Sequence, residues 1–282
     1  MIVNLINSQN LFLIILAIVW IIGAILQDLK RREVDNIWNF SLIAFALGYR
    51  AIVSIFGNDY WFIINGLLGL IIFLILGNLF YYLRLFAGGD AKLVIALGTI
   101  LPLSYDWTLN FKIFGLFILL FLLTGAIYVL LWSFYLVIKN FNRFKLEFKK
   151  QAKDYRIMLF SGIGFFILGI ILIIFNILFF YFGILVLLFP LLFIFAKSVE
   201  ESCLIKELSS NQITEGDWLY EDIVVHGKKI KANWDGISRK ELEFIRKYSR
   251  KKILIKQGVP FTPSFLFAFI GLLIVSKIYG IF

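Results

Sequence analysis

Block after block of this sequence is apolar all round, with no polar face returning at a helix or strand period. Trp61–Leu83 and Leu178–Ala196 carry no charged residue at all. A soluble helix buries one stripe and solvates the other, so segments this uniform are stable only against lipid or other apolar helices. About 20 such residues cross a hydrocarbon core of about 30 Å. Of the 282 residues, 61% are hydrophobic, against roughly 45–50% in soluble chains. The fold class that follows is an all-α polytopic membrane protein of about eight transmembrane helices. The spans are Leu11–Leu26, Ile37–Phe56, Trp61–Leu83, Lys92–Leu103, Phe111–Ile138, Ile157–Asn176, Leu178–Ala196 and Phe261–Phe282. The fourth is short and carries Pro102. The sixth and seventh form one continuous apolar run, too long for a single crossing, which divides near Asn176.

Basic residues orient the bundle. With an outside N-terminus and alternating spans, the inner segments are 27–36, 84–92, 139–156 and 197–259. They hold 3, 2, 7 and 13 Lys or Arg, or 25 of the chain's 28. Only Arg50, Lys112 and Lys277 fall elsewhere. The positive-inside rule therefore puts these segments in the cytosol and both termini outside. The net charge of +10 is accounted for by topology and anionic inner-leaflet lipid rather than by nucleic acid. Met1–Asn10 has no basic n-region, so the first span is expected to be retained rather than cleaved as a signal peptide.

The expected organisation is a transmembrane bundle over 1–196, a cytosolic segment over 197–259, and a last helix over 260–282. The cytosolic segment reads as small α+β. Trp218–Val225 alternates like strand pieces, and Ser238–Tyr248 reads as a helix opened by a capping box of Ser238 and Glu241, with Leu242 and Ile245 on one face. One cysteine, Cys203, excludes an intrachain disulfide and a four-cysteine zinc site, and one histidine, His226, excludes a multi-histidine metal centre. No metal and no cofactor are expected. Nothing brings Cys203 and His226 together as a dyad.

Ionisable groups at membrane depth are costly, so those at span ends need a reason. Asp28 follows the first apolar run and opens Asp28-Leu-Lys-Arg-Arg-Glu-Val-Asp-Asn36. Its bland reading is a helix end paired with a nearby base. Asp90 lies in Phe86-Ala-Gly-Gly-Asp-Ala-Lys92, just before the fourth span. There it could simply cap the helix, while Gly88 and Gly89 permit a tight turn or close backbone approach. Both carboxylates fall on the same predicted face, 62 positions apart. If the first and fourth spans pack together, the pair can share one proton and one water, one carboxyl acting as acid and the other as base. Asp59 and Asp106 fall on the opposite face. Asp35 is a poorer substitute partner, lying seven residues beyond Asp28. Lys30, Arg31, Arg32 and Lys92 serve as topology anchors, or else Arg32 or Lys92 steadies a carboxylate or the substrate backbone. The many phenylalanines read as lipid-facing bulk.

These motifs resemble the type IV prepilin peptidases, most closely the archaeal prepilin and preflagellin branch. The family pattern after the first aspartate, D-L-[KR]-x-R-x-[IV]-P-N, is matched from Asp28 to Asn36, except that Asp35 replaces the proline. Its G-x-G-D-x-K element is matched by Gly89, Asp90 and Lys92, with Ala87 where the first glycine belongs and Gly88 at the variable position. The paired C-x-x-C motifs of bacterial members are absent. Gly258-Val-Pro-Phe-Thr-Pro-Ser-Phe265 resembles the segment before the last helix of archaeal members. The resemblance implies a membrane aspartic endopeptidase with Asp28 and Asp90 as its catalytic pair and Gly88, Gly89, Lys92, Lys30, Arg32 and Asn36 supporting them. It implies pilin or archaellin precursors as substrates, cut beside a short basic leader on the cytosolic side. Two alternatives stay open: a presenilin or signal-peptide-peptidase-like protease, whose Tyr-Asp and Pro-Ala-Leu elements are missing here, and a proton-coupled transporter using the carboxylates as a relay.

Overall fold

The computed structural model describes residues 8–234, 236–249 and 251–278. The reading of Met1–Asn10 therefore falls mostly outside the described residues, as do the last four residues of the eighth span. The elements in chain order are α1 (Ser8–Arg31), α2 (Asn36–Gly57), α3 (Tyr60–Tyr82), α4 (Gly88–Leu97), α5 (Trp107–Lys139), α6 (Phe141–Asp154), α7 (Arg156–Ile171), α8 (Ile177–Val199), β1 (Ile205–Leu208), β2 (Trp218–Leu219), β3 (Ile223–Val225), β4 (Lys228–Ile230), α9 (Arg239–Tyr248), β5 (Ile253–Lys256) and α10 (Pro263–Ile278). Six helices are long and apolar enough to cross a bilayer: α1, α2, α3, α5, α7 with its 3₁₀ extension, and α8. The protein is a multi-pass membrane protein. The chain forms two compact units, residues 1–130 with 259–282, and residues 131–258.

In the first unit, α1 buries Leu13, Ala17, Ile21 and Ala24 along one stripe. The steps of four, four and three residues keep them on one helix face. α3 meets α4 through glycine. A Cβ on Gly69 would lie 2.2 Å from the Gly98 carbonyl oxygen, and one on Gly77 would lie 2.9 Å from that of Ala91. Hydrogen alone fits at both positions, which is how small residues let membrane helices approach backbone to backbone.

The fourth expected span differs from a plain crossing helix. α4 has only 10 residues, about 15 Å of rise, and residues 98–106 continue without regular structure. That stretch is buried through Thr99, Ile100, Leu101, Leu103 and Ser104, where unpaired backbone carbonyls would be costly. Polar side chains satisfy them. The guanidinium of Arg50, fully buried, donates to the carbonyls of Thr99 (2.9 Å), Ile100 (3.2 Å), Pro102 (2.7 Å) and Phe62 (2.9 Å). Asn10 donates to Leu103 O at 2.8 Å and Asn110 to Ser104 O at 2.8 Å. Arg50, an exception to the charge bias, is thus a backbone clamp.

In the second unit, the long apolar run breaks where expected. The Asn176 side chain accepts from the Leu178 amide at 2.9 Å and opens α8. α6, in the basic inner segment 139–156, is an amphipathic helix whose Phe144 meets Phe195 of α8 edge to face. The α+β segment has an antiparallel sheet ordered β1-β5-β2 and a β3–β4 hairpin. His226 and Gly227 turn that hairpin at positive φ. The expected capping box forms between Ser238 and Glu241, with Leu242 and Ile245 buried below it. Ser238's hydroxyl and amide hold the Glu241 carboxyl below the usual glutamate range.

Candidate active site

Asp28 extends the buried stripe of α1, four residues beyond Ala24, so its carboxyl points inward and is only 6% exposed. Its Oδ2 accepts two hydrogen bonds from one residue, the Thr262 amide at 3.0 Å and the Thr262 hydroxyl at 2.9 Å. Thr262 is itself fully buried, directly before α10. Beyond Asp28 the helix closes with the Arg32 amide donating to the Asp28 carbonyl at 2.8 Å, Arg32 taking a left-handed φ of 61°.

Asp90 occupies the first turn of α4 and is half-buried. The helix cap is Ala87, and no side-chain cap bond forms there. Asp90's neighbour Gly89 lies against the backbone of Val34, six residues past Asp28, which places the start of α4 beside the segment that follows α1.

Two bonds tie the segment after α1 to the start of α4. Lys92 Nζ donates to Asn36 Oδ1 at 2.6 Å, and Asn39 Nδ2 donates to the Gly89 carbonyl at 3.2 Å. Asn39 is fully buried and its Oδ1 has no hydrogen-bond partner among the described residues. Gly89 lies against the backbone of Val34, where a Cβ would meet Val34 N at 3.4 Å, while one on Gly88 would have Tyr81 no nearer than 3.8 Å. Within the first unit, Gly69, Gly77 and Gly98 make closer backbone approaches than this glycine pair does.

The remaining sequence candidates are spread around this centre. Lys30 and Arg32 are exposed, and Lys92 meets Asn36. Asp35 is exposed and pairs with Arg31 at 2.5 Å. Asp59 caps α3 and Asp106 caps α5, which accounts for both. The sequence does not single out Thr262 or Asn39 as part of this site. Thr262 left one trace, a threonine before a proline, which marks a helix start without naming a distant carboxylate as its acceptor.

Residues 14–139 match the model of the type IV leader peptidase family, and that stretch holds both Asp28 and Asp90. That stretch of the chain is similar to this family. Curated relatives point the same way. The chain is similar to the preflagellin peptidase of Methanocaldococcus jannaschii, with 34% identity over 89 residues, 29% of this chain and 38% of that protein. It is similar also to that of Methanococcus maripaludis, 29% identical over 156 residues, 50% of this chain and 66% of the relative. That of Methanococcus voltae is 28% identical over 144 residues, 48% and 60% of the two lengths. In each case the match spans less than two thirds of the relative. No solved structure matches the chain.

Proposed function

We propose that this protein is a membrane aspartic endopeptidase that removes the short basic leader from archaellin or pilin-like precursors. Asp28 and Asp90 are its catalytic pair, with 27–36, 84–92, 139–156 and 197–259 cytosolic and both termini outside. The observation that carries this reading is that Asp28 is buried and held by Thr262 at the end of α1, while the Lys92–Asn36 and Asn39–Gly89 bonds tie the segment just past α1 to the first turn of α4, which bears Asp90. The curated relatives named above are preflagellin peptidases, which favours archaellin-like substrates.

The chemistry needs one proton shared by two carboxyls. The ionised carboxylate takes a proton from water as its oxygen attacks the scissile carbonyl, while the protonated carboxyl gives its proton to the carbonyl oxygen. The resulting gem-diol collapses: the newly protonated carboxyl gives its proton to the leaving nitrogen, the C–N bond breaks, and one diol hydroxyl returns its proton to the other carboxylate as the C=O bond re-forms. One proton remains on the pair, ready for the next cycle. Substrate hydrophobic helices suit the apolar bundle, and water reaches a helix end more cheaply than a bilayer centre.

The test is cleavage of a leader-bearing archaellin precursor by the purified full-length protein in detergent micelles. Asp28→Asn and Asp90→Asn should each lower turnover by about 1,000-fold or more, with size-exclusion profiles unchanged. Cleavage at the wild-type rate by either variant overturns the pairing.

A further inference from the structure

We infer that Thr262 is a positioning residue for this cleavage, orienting the Asp28 carboxylate from a segment that lies outside the family-matched stretch. The inference rests on the aspartate pairing proposed above. A carboxylate on a helix turns freely about its last torsion unless something holds one oxygen. Here both donors of Thr262 hold the same oxygen, Oδ2, in a buried setting. That arrangement fixes the carboxylate plane and directs Oδ1 away from Thr262.

Local sequence explains why Thr262 has donors to give. Pro263 opens α10 and has no N–H. The amides of Ser264 and Phe265 bond back to the carbonyls of Phe261 and Thr262. Asp28 supplies the acceptor for the Thr262 amide, so a helix-start donor and a carboxylate satisfy each other.

Phe261, next door, joins the same segment to the other acid. Its ring lies 5.5 Å from that of Phe86, four residues before Asp90, and 5.5 Å from that of Phe121. It also covers Gly125, where a Cβ would lie 2.6 Å from its Cζ. Residues 261 and 262 thus touch the end of α1 and the lead-in to α4 at once. A shift of this segment would move the two carboxyls relative to each other.

The experiment measures kcat and KM of the purified full-length protein on an archaellin precursor for Thr262→Val, Thr262→Ser and Asp28→Asn. Valine keeps the volume and the amide but removes the hydroxyl donor. It should lower kcat about 10–100-fold, the weight of a hydrogen bond to a charged group, with KM within about 2-fold. Serine restores the donor and should bring kcat back to within about 3-fold of wild type. A structural role alone would not split kcat from KM or be rescued by serine. Wild-type kcat in the valine variant, or equal loss in valine and serine variants, overturns the inference. Should the valine variant fail to give a monodisperse protein, Thr262→Ala against Thr262→Ser makes the same comparison, equal kcat being the overturning result. If Asp28→Asn is dead while the valine variant is unimpaired, the positioning role alone fails. If Asp28→Asn cuts at the wild-type rate, or the wild type cuts no precursor, the parent reading fails and this role falls with it.

Discussion

The two ends of α4 are held in opposite ways. Past its C-terminus the chain abandons helical hydrogen bonding, and Arg50, Asn10 and Asn110 take over the carbonyls one by one. At its N-terminus two side-chain bonds, from Asn39 and Lys92, fasten the neighbourhood of Asp90, and the N-cap residue Ala87 makes no side-chain cap bond. The heavily bonded end must be so, because irregular backbone away from water has no other partners. The lightly bonded end is where Asp90, one of the two acids of the proposed pair, is carried.

That contrast can be broken most severely at Arg50. Arg50→Leu should destabilise the protein by about 3 kcal/mol or more, since it strips donors from four buried carbonyls. Thermal unfolding in detergent micelles, followed by tryptophan fluorescence, reads this directly, and an unchanged midpoint would remove the clamp from the account. Gly77→Val comes next, at about 1–3 kcal/mol from overpacking against Ala91 and Ile95. Its cleavage rate should fall as well, because α4 must shift to admit the side chain. Lys92→Met should have the smallest effect on stability, under about 1 kcal/mol, for its bond to Asn36 is exposed. The same variant is expected to lower cleavage by less than about 10-fold; a loss as deep as that of Asp90→Asn would move Lys92 from tether to catalyst.

Much of this was legible in sequence wherever a local rule governs. Continuous apolar blocks located the long spans, Asn176 marked the break between α7 and α8, and Ser238 with Glu241 announced α9. The Asp28 and Asp90 motifs located both acids. What escaped depends on partners far along the chain. Leu93–Leu103 reads as one apolar run, yet hydrophobicity does not separate a buried helix from buried irregular chain, and it is Arg50 that makes the second affordable at 98–104. α6 lies in the basic inner segment 139–156, where the count of charges sets orientation and says nothing of helix, although Phe144, Phe148 and Gln151 recur at helical spacing. Thr262 escaped because a threonine beside a proline looks complete in itself.

Asp28 and Thr262 stand 234 residues apart in the chain, with all of residues 131–258 synthesised between them. During translation the first acid is in the membrane long before its holder leaves the ribosome. Contacts between such remote positions close late, after the local helices have formed. A nascent chain therefore carries its acids for most of its synthesis without the brace that aligns them, and alignment arrives only with the final helix.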